Sequence, residues 1–339
     1  MPDRPVMKAL IEARADPCSR LDEGGATPLH ISAAKGDVQA CRLLLLLHGA
    51  GGQPAGAHAG TSSLRRDGEG KTALIVAAIH GHTAVVRFLL EEGGARVQDT
   101  DSRRGTDCER GKFSSVGGNA LHHAAEHGKL EVMKLLLAHC EAQGLLSEMV
   151  DAPTRTGRAI TPLMIATSKR HMGITGRLLA AGASVHTEDR MGRTALFGAA
   201  FSGHVGLARV LIEERGADVR HTDKKGVTPL FVAILGIKVQ GDHDDVVELL
   251  VASGASVERR GLEGRTPLYV AAEAGRLGAV DCMLRMVEKL KTDVRTEIAI
   301  VQDQQHQIVQ GLAGKGQLAA TDPVRSSLFF DRSLRRIFD

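Results

Sequence analysis

The chain has 339 residues and a formal charge of only +3, so no general electrostatic pull toward nucleic acid or anionic membranes operates. Aromatic residues make up 3%, with no Trp and one Tyr, which leaves little with which to stack bases. Five cysteines (Cys18, Cys41, Cys108, Cys140, Cys282) are odd in number and form no CxxC pair, MPDRPVMKAL lacks an apolar signal core, and the Leu43–Leu47 run is too short to cross a bilayer.

From Thr27 onward one pattern recurs. A Thr, or once an Asn, opens an apolar run in the manner of a helix N-terminus. Leu follows at +2, Ala at +5 and +6, Gly at +9, and apolar residues at +16 to +18. The copies begin at Thr27 (TPLHISAAKG), Thr72 (TALIVAAIHG), Asn119 (NALHHAAEHG) and Thr161 (TPLMIATSKR), then at Thr194 (TALFGAAFSG), Thr228 (TPLFVAILG) and Thr266 (TPLYVAAEAG). Each predicts two short helices, apolar on one side, joined by a turn. Such a pair cannot bury both stripes alone and needs a copy on either flank.

The starting points lie 45, 47, 42, 33, 34 and 38 residues apart. A shortest period of 33, with Thr-Pro-Leu-His at Thr27 to His30, resembles the ankyrin repeat. The resemblance implies an all-α solenoid of helix–turn–helix repeats with short β-hairpin fingers. It assigns residues 1–290 to one half-repeat (6–16) plus seven repeats, followed by a helical C-terminal extension.

The half-repeat rests on Val6 to Ile11, which match positions +13 to +18; its first helix would begin before Met1. A capping half-repeat and a shortened chain start both fit. Three insertions then fall between one repeat's second helix and the next repeat's first: Gly51 to Arg66, Val97 to Gly118 and Glu141 to Ile160. The last contains LLSEMV, Leu145 to Val150, enough for one helical turn. Arg170, where other copies mostly have Gly, and Arg177, where they are apolar, place the weakest joint near residues 140–175. Five extra residues fall within Ile237 to Asp245 of the Thr228 copy.

Beyond Leu290 the pattern stops. Residues 291–312 carry Val294, Ile298, Val301, Ile308 and Leu312 at three-and-four spacing and predict a helix. Residues 313–339 read as a linker and an amphipathic terminal helix. There Phe330, Leu334, Ile337 and Phe338 share one face, a docking surface for a partner or for the chain's own repeats.

Two stretches imitate catalytic motifs. His123-Ala124-Ala125-Glu126-His127 fits H-x-x-E-H, a zinc-peptidase signature, yet its Ala pair and the following Gly128 sit where the repeat requires them. Gly70-Lys71-Thr72 has the ending of a phosphate loop, but Arg65 stands where the first Gly belongs. No cofactor or metal is expected. By the resemblance, His30 and His122 hydrogen-bond neighbouring turns, and Asp67 to Thr72 is a finger turn of the form D-x-x-G-x-T.

The resemblance also implies a concave face of finger tips and first helices as the contact surface. Its finger residues would be Arg190, Met191, Arg193, Lys224, Lys225, Leu262, Glu263 and Arg265, and its helix residues Glu126, Lys169, Phe201 and Glu273. The fingers keep a modest positive edge, suited to a protein partner with an acidic segment. The expected function is a non-catalytic protein-binding scaffold or adaptor, monomeric and cytoplasmic or nuclear, without nucleic-acid binding or a membrane span. The alternative is a substrate adaptor of an E3 ubiquitin ligase that recruits through its Phe/Arg-rich C-terminus.

Overall fold

Seven of the apolar runs begin with the same local chemistry. Thr27, Thr72, Asn119, Thr161, Thr194, Thr228 and Thr266 all have extended backbone and stand immediately before a helix. The hydroxyls of Thr72, Thr161, Thr228 and Thr266 accept from the amide three residues on, at 3.3–3.4 Å. Pro28, Pro162, Pro229 and Pro267 follow at the first helical position, where no amide hydrogen is needed. A computed structural model describes residues 24–49, 65–101, 115–155, 157–236, 242–261, 264–289, 291, 292 and 295. The half-repeat expected at 6–16, most of the helix expected at 291–312 and the terminal segment 313–339 lie outside them.

The chain divides into two units, residues 1–283 and 284–339. In the first, helices come in pairs: α1 (Pro28–Lys35) and α2 (Val38–Gly49), α3 (Ala73–His80) and α4 (Thr83–Glu91), α5 (Ala120–Glu126) and α6 (Leu130–Ala142). A one-turn helix, α7 (Leu146–Met149), occupies the LLSEMV stretch. Then follow α8 (Pro162–Ser168) and α9 (Met172–Ala180), α10 (Ala195–Ser202) and α11 (Val205–Arg209), α12 (Pro229–Leu235) and α13 (Asp242–Ala252), and α14 (Pro267–Glu273) with helical residues 277–283. In the second unit, the described residues 284–289, 291, 292 and 295 are helical, and the Thr292 hydroxyl donates to the Glu288 carbonyl at 2.9 Å.

Within the first unit consecutive first helices pack side by side: α1 on α3, α3 on α5, α5 on α8, α8 on α10, α10 on α12 and α12 on α14. Six of the seven +2 leucines, Leu29, Leu74, Leu121, Leu163, Leu196 and Leu230, are buried to within 1%, and Leu268 in the last copy is half-buried. Second-helix leucines Leu89, Leu136, Leu178, Leu211 and Leu250 are fully buried. No β-strand is present among the described residues. The fingers are single hairpin turns, one with an isolated antiparallel bridge between Arg66 and Thr72.

Three fingers are held by an Asp that turns its carboxylate onto two backbone amides. Asp67 accepts from Glu69 and Lys71, Asp189 from Met191 and Arg193, and Asp223 from Lys225 and Val227, all at 2.8–2.9 Å. Backbone bonds then tie finger to finger: Arg155 N to Gly117 O (2.9 Å), Arg190 N to Arg158 O (2.7 Å) and Lys224 N to Met191 O (2.9 Å). Histidines stitch the repeats as well. His30 Nε2 meets Lys71 O at 2.9 Å, His82 Nε2 meets Ala34 O at 2.8 Å, and His122 Nε2 meets Ile160 O at 3.1 Å.

Spacing irregularities are absorbed locally. The step from Thr161 to Thr194 is 33 residues and that from Thr194 to Thr228 is 34. In the shorter copy Ala183 N bonds Leu178 O; in the longer one Ala217 N bonds Leu211 O, one residue further back, after a π-helical turn over Val210–Glu214. The insertion after Val97 is spliced inside a finger. Asp101 N donates to Gly118 O at 2.9 Å, as Asp67 N does to Lys71 O, so the turn persists at the base. The joint at 140–175, irregular in sequence, is crossed by the His122–Ile160 and Arg155–Gly117 bonds, by His171 Nε2 to Glu126 O (3.2 Å) and by the Lys169–Glu126 ion pair (3.0 Å).

Candidate functional site

The fingers and the ends of the first helices share one face because the chain returns under each finger within eight residues. Arg265, just before the cap of α14, reaches Glu273 at the helix end with a 2.7 Å ion pair, and its guanidinium lies 5.5 Å over the Tyr269 ring. Among the expected contact residues Arg265 thus meets Glu273, Lys169 meets Glu126, and the arginines on the fingers are already engaged. The Arg190 guanidinium donates to Gly157 O of the neighbouring finger at 2.7 Å. Arg193 folds back onto its own Asp189, Nε at 2.9 Å from Oδ2, and closes the turn rather than facing solvent. Glu126 accepts from Lys169 on one side and from the Ser115 amide (3.0 Å) and hydroxyl on the other.

Lys224 and Lys225 differ. Both are exposed at the tip of their finger, and neither ammonium has a side-chain partner among the described residues. Met191 and Phe201 are half-buried, while Leu262 and Glu263, with Phe330, Leu334, Ile337 and Phe338, lie outside the described residues. Sequence reasoning missed Leu235, 59% exposed at the end of α12 at the position equivalent to Phe201, Glu126 and Glu273. Within FVAIL it reads as one more core residue. Only the +7 register, polar in three other copies (Glu126, Ser168 and Glu273), would have marked it.

The H-x-x-E-H stretch brings ligand-type atoms of His123, Glu126 and His127 within 4.8 Å of one another. Its geometry does not fit a metal. His123 uses both ring nitrogens, Nδ1 at 2.9 Å from Ser115 Oγ and Nε2 at 2.9 Å from Asp101 Oδ2. The Lys169 ammonium, 3.0 Å from Glu126, would repel a cation. Burial alone would raise the Glu126 carboxyl, but the Ser115 hydrogen bonds and Lys169 outweigh it and hold it below the usual carboxylate range.

The same cluster lines up Ser115, His123 and Asp101 in the order of a nucleophilic triad. A working nucleophile must give its hydroxyl proton to the imidazole and face substrate. Here the hydroxyl donates to Glu126, and Ser115, His123 and Asp101 are all 2–3% exposed. The cluster closes the base of the 102–114 insertion, since Asp101 and Ser115 are its two flanks. Burial also pushes the thiol of Cys41 up to about 12, with Asp37 adding to it, and that of Cys140 up to about 11, so neither supplies a thiolate near neutral pH.

Among the described residues, no helix is long and apolar enough to cross a membrane. The sequence matches ankyrin repeats (3 copies) in overlapping stretches at residues 2–101, 55–146, 104–189, 142–223, 163–260 and 215–296. It is 27% identical over 229 residues to the transient receptor potential cation channel subfamily A member 1 of Drosophila melanogaster, covering 66% of this chain and 18% of the channel. To the E3 ubiquitin-protein ligase KEG of Arabidopsis thaliana it is 27% identical over 299 residues, covering 80% of this chain and 17% of KEG. The chain thus spans less than a fifth of each of these curated relatives. Among solved structures, the ankyrin repeat domain of Bcl-3, from the IkappaB protein family, superposes with a TM-score of 0.56 at 27% identity, covering 77% of this chain and 99% of that domain.

Proposed function

Since this chain belongs to the ankyrin-repeat family, matched from residue 2 to residue 296, we propose that it is a non-catalytic scaffold that grips a protein partner with its finger tips and first-helix ends. An ankyrin-repeat array is a protein-interaction module. The observation that carries the reading is a contrast. Catalytic-looking groups are sealed by their own hydrogen bonds, while Lys224, Lys225 and Leu235 stand exposed on a finger and on the first helix that follows it.

Affinity purification of the full chain beside a K224E/K225E variant tests it. The expected result is a protein partner retained by the wild type, lost by the variant and weakened by salt. Retention of no protein, or turnover of a small molecule by the purified chain, would overturn the scaffold reading.

Similarity to KEG favours a second reading, a substrate adaptor of an E3 ubiquitin ligase recruited through the segment carrying Phe330, Leu334, Ile337 and Phe338. Deleting residues 320–339 then removes co-purifying ligase while leaving the finger-bound partner in place. A deletion that changes neither disposes of it.

A further inference from the structure

The inner face is not uniform along the array. In two copies the residue at the end of the first helix is a glutamate already held by neighbouring side chains. Glu126 is bound by Ser115 and Lys169, and Glu273 by Arg265. Between these two polar brackets, α10 and α12 place Phe201 and Leu235 at the same position on adjacent helices. Among the described residues, no finger side chain covers Leu235 in the way Arg265 covers Glu273. Arg193 is turned inward to Asp189, and the equivalent residue of the next finger is Val227, itself half-buried and apolar. Directly on that finger stand Lys224 and Lys225.

An apolar residue at the end of α12, with two exposed cations on the finger that leads into the same helix, selects by two criteria at once. Burying Leu235 favours a large aliphatic or aromatic anchor, and two exposed ammonium groups favour carboxylates beside it while disfavouring basic sequences. We infer that the segment bound by this chain carries a bulky apolar residue next to acidic ones, with the anchor on Leu235 and Phe201 and the carboxylates at Lys224 and Lys225. This rests on the scaffold reading and narrows it to one stretch of the face and one peptide chemistry. The brackets limit the anchor's site, because sliding toward α5 or α14 would place apolar surface on an ion pair.

Selection of a displayed random-peptide library on the full chain tests the inference, followed by fluorescence anisotropy of the recovered peptides. Expected are peptides enriched in Asp or Glu around Leu, Phe or Trp. Their affinity should fall roughly tenfold or more with L235D and with K224E/K225E, stay near wild type with L235M, and return on K224E/K225E when the peptide's acids become Lys. L235D alters an exposed side chain, and a wild-type far-UV spectrum confirms that it folds. Recovered peptides that are basic, or that bind L235D as well as wild type, would reject this surface and leave the scaffold reading standing. Recovery of no binding peptide would count against both.

Discussion

Arg170 occupies the left-handed region, φ 64°, at the end of α8, where Gly36, Gly81 and Gly203 stand in other copies. A side chain there costs about 1 kcal/mol or more because Cβ crowds the backbone. Five residues on, Thr175 buries a hydroxyl that has no hydrogen-bond partner among the described residues, at a position filled by Val86 and Met133 in two other copies. Leaving such a group unpaired costs roughly 1–3 kcal/mol. R170G and T175V are therefore expected to stabilise the chain, by about 0.5–1 and about 1 kcal/mol respectively. Thermal melts followed by far-UV circular dichroism check this, and a lowered midpoint for either variant would show that its neighbours had already accommodated the native residue.

The paired helices were legible because one residue type does one job at each end. Thr or Asn accepts the orphan amides, Pro fits the first turn, and Gly takes the left-handed exit, so boundaries could be read almost to the residue. The π turn at Val210–Glu214 was implicit in the step from 33 to 34 residues, but where the extra residue would go was not. Leu211 shows what the register demands: it is fully buried, and its carbonyl takes the Ala217 amide that ends the repeat. L211A is expected to cost about 2–5 kcal/mol, with amide exchange quickening first in α10 to α12. Less of the contact face was legible. Arg190, Arg193 and Arg265 look alike in sequence as exposed finger cations, yet Gly157, Asp189 and Glu273 engage them. Composition gives the sign of a charge but not the direction in which a flexible side chain turns.

Nearest-neighbour coupling makes the array only as cooperative as its weakest joint. Between α5–α6 and α8–α9 that coupling rests partly on His122, whose ring touches Asn119 and the Ile160 carbonyl while wholly buried. Burial lowers its pKa from 6.5 to about 4, neighbouring His123 adding to the shift, despite the opposing pull of the Ile160 carbonyl and Asp101. Between those values the unfolded chain binds a proton that the folded chain does not. The contribution is therefore complete above pH 6.5 and is lost as the pH falls toward 4, in all roughly 3 kcal/mol. Glu126, held below the usual carboxylate range, should add its own loss only lower on the scale, as its folded-state carboxyl takes up a proton. Amide exchange corrected for intrinsic pH dependence should show continuous protection across residues 120–179 at neutral pH. On acidification through that window the joint should open ahead of the flanking pairs. H122Q keeps a donor for Ile160 but cannot titrate, so it should start less stable yet lose little over the same range. Equal acid sensitivity in wild type and H122Q would place the pH response elsewhere in the array.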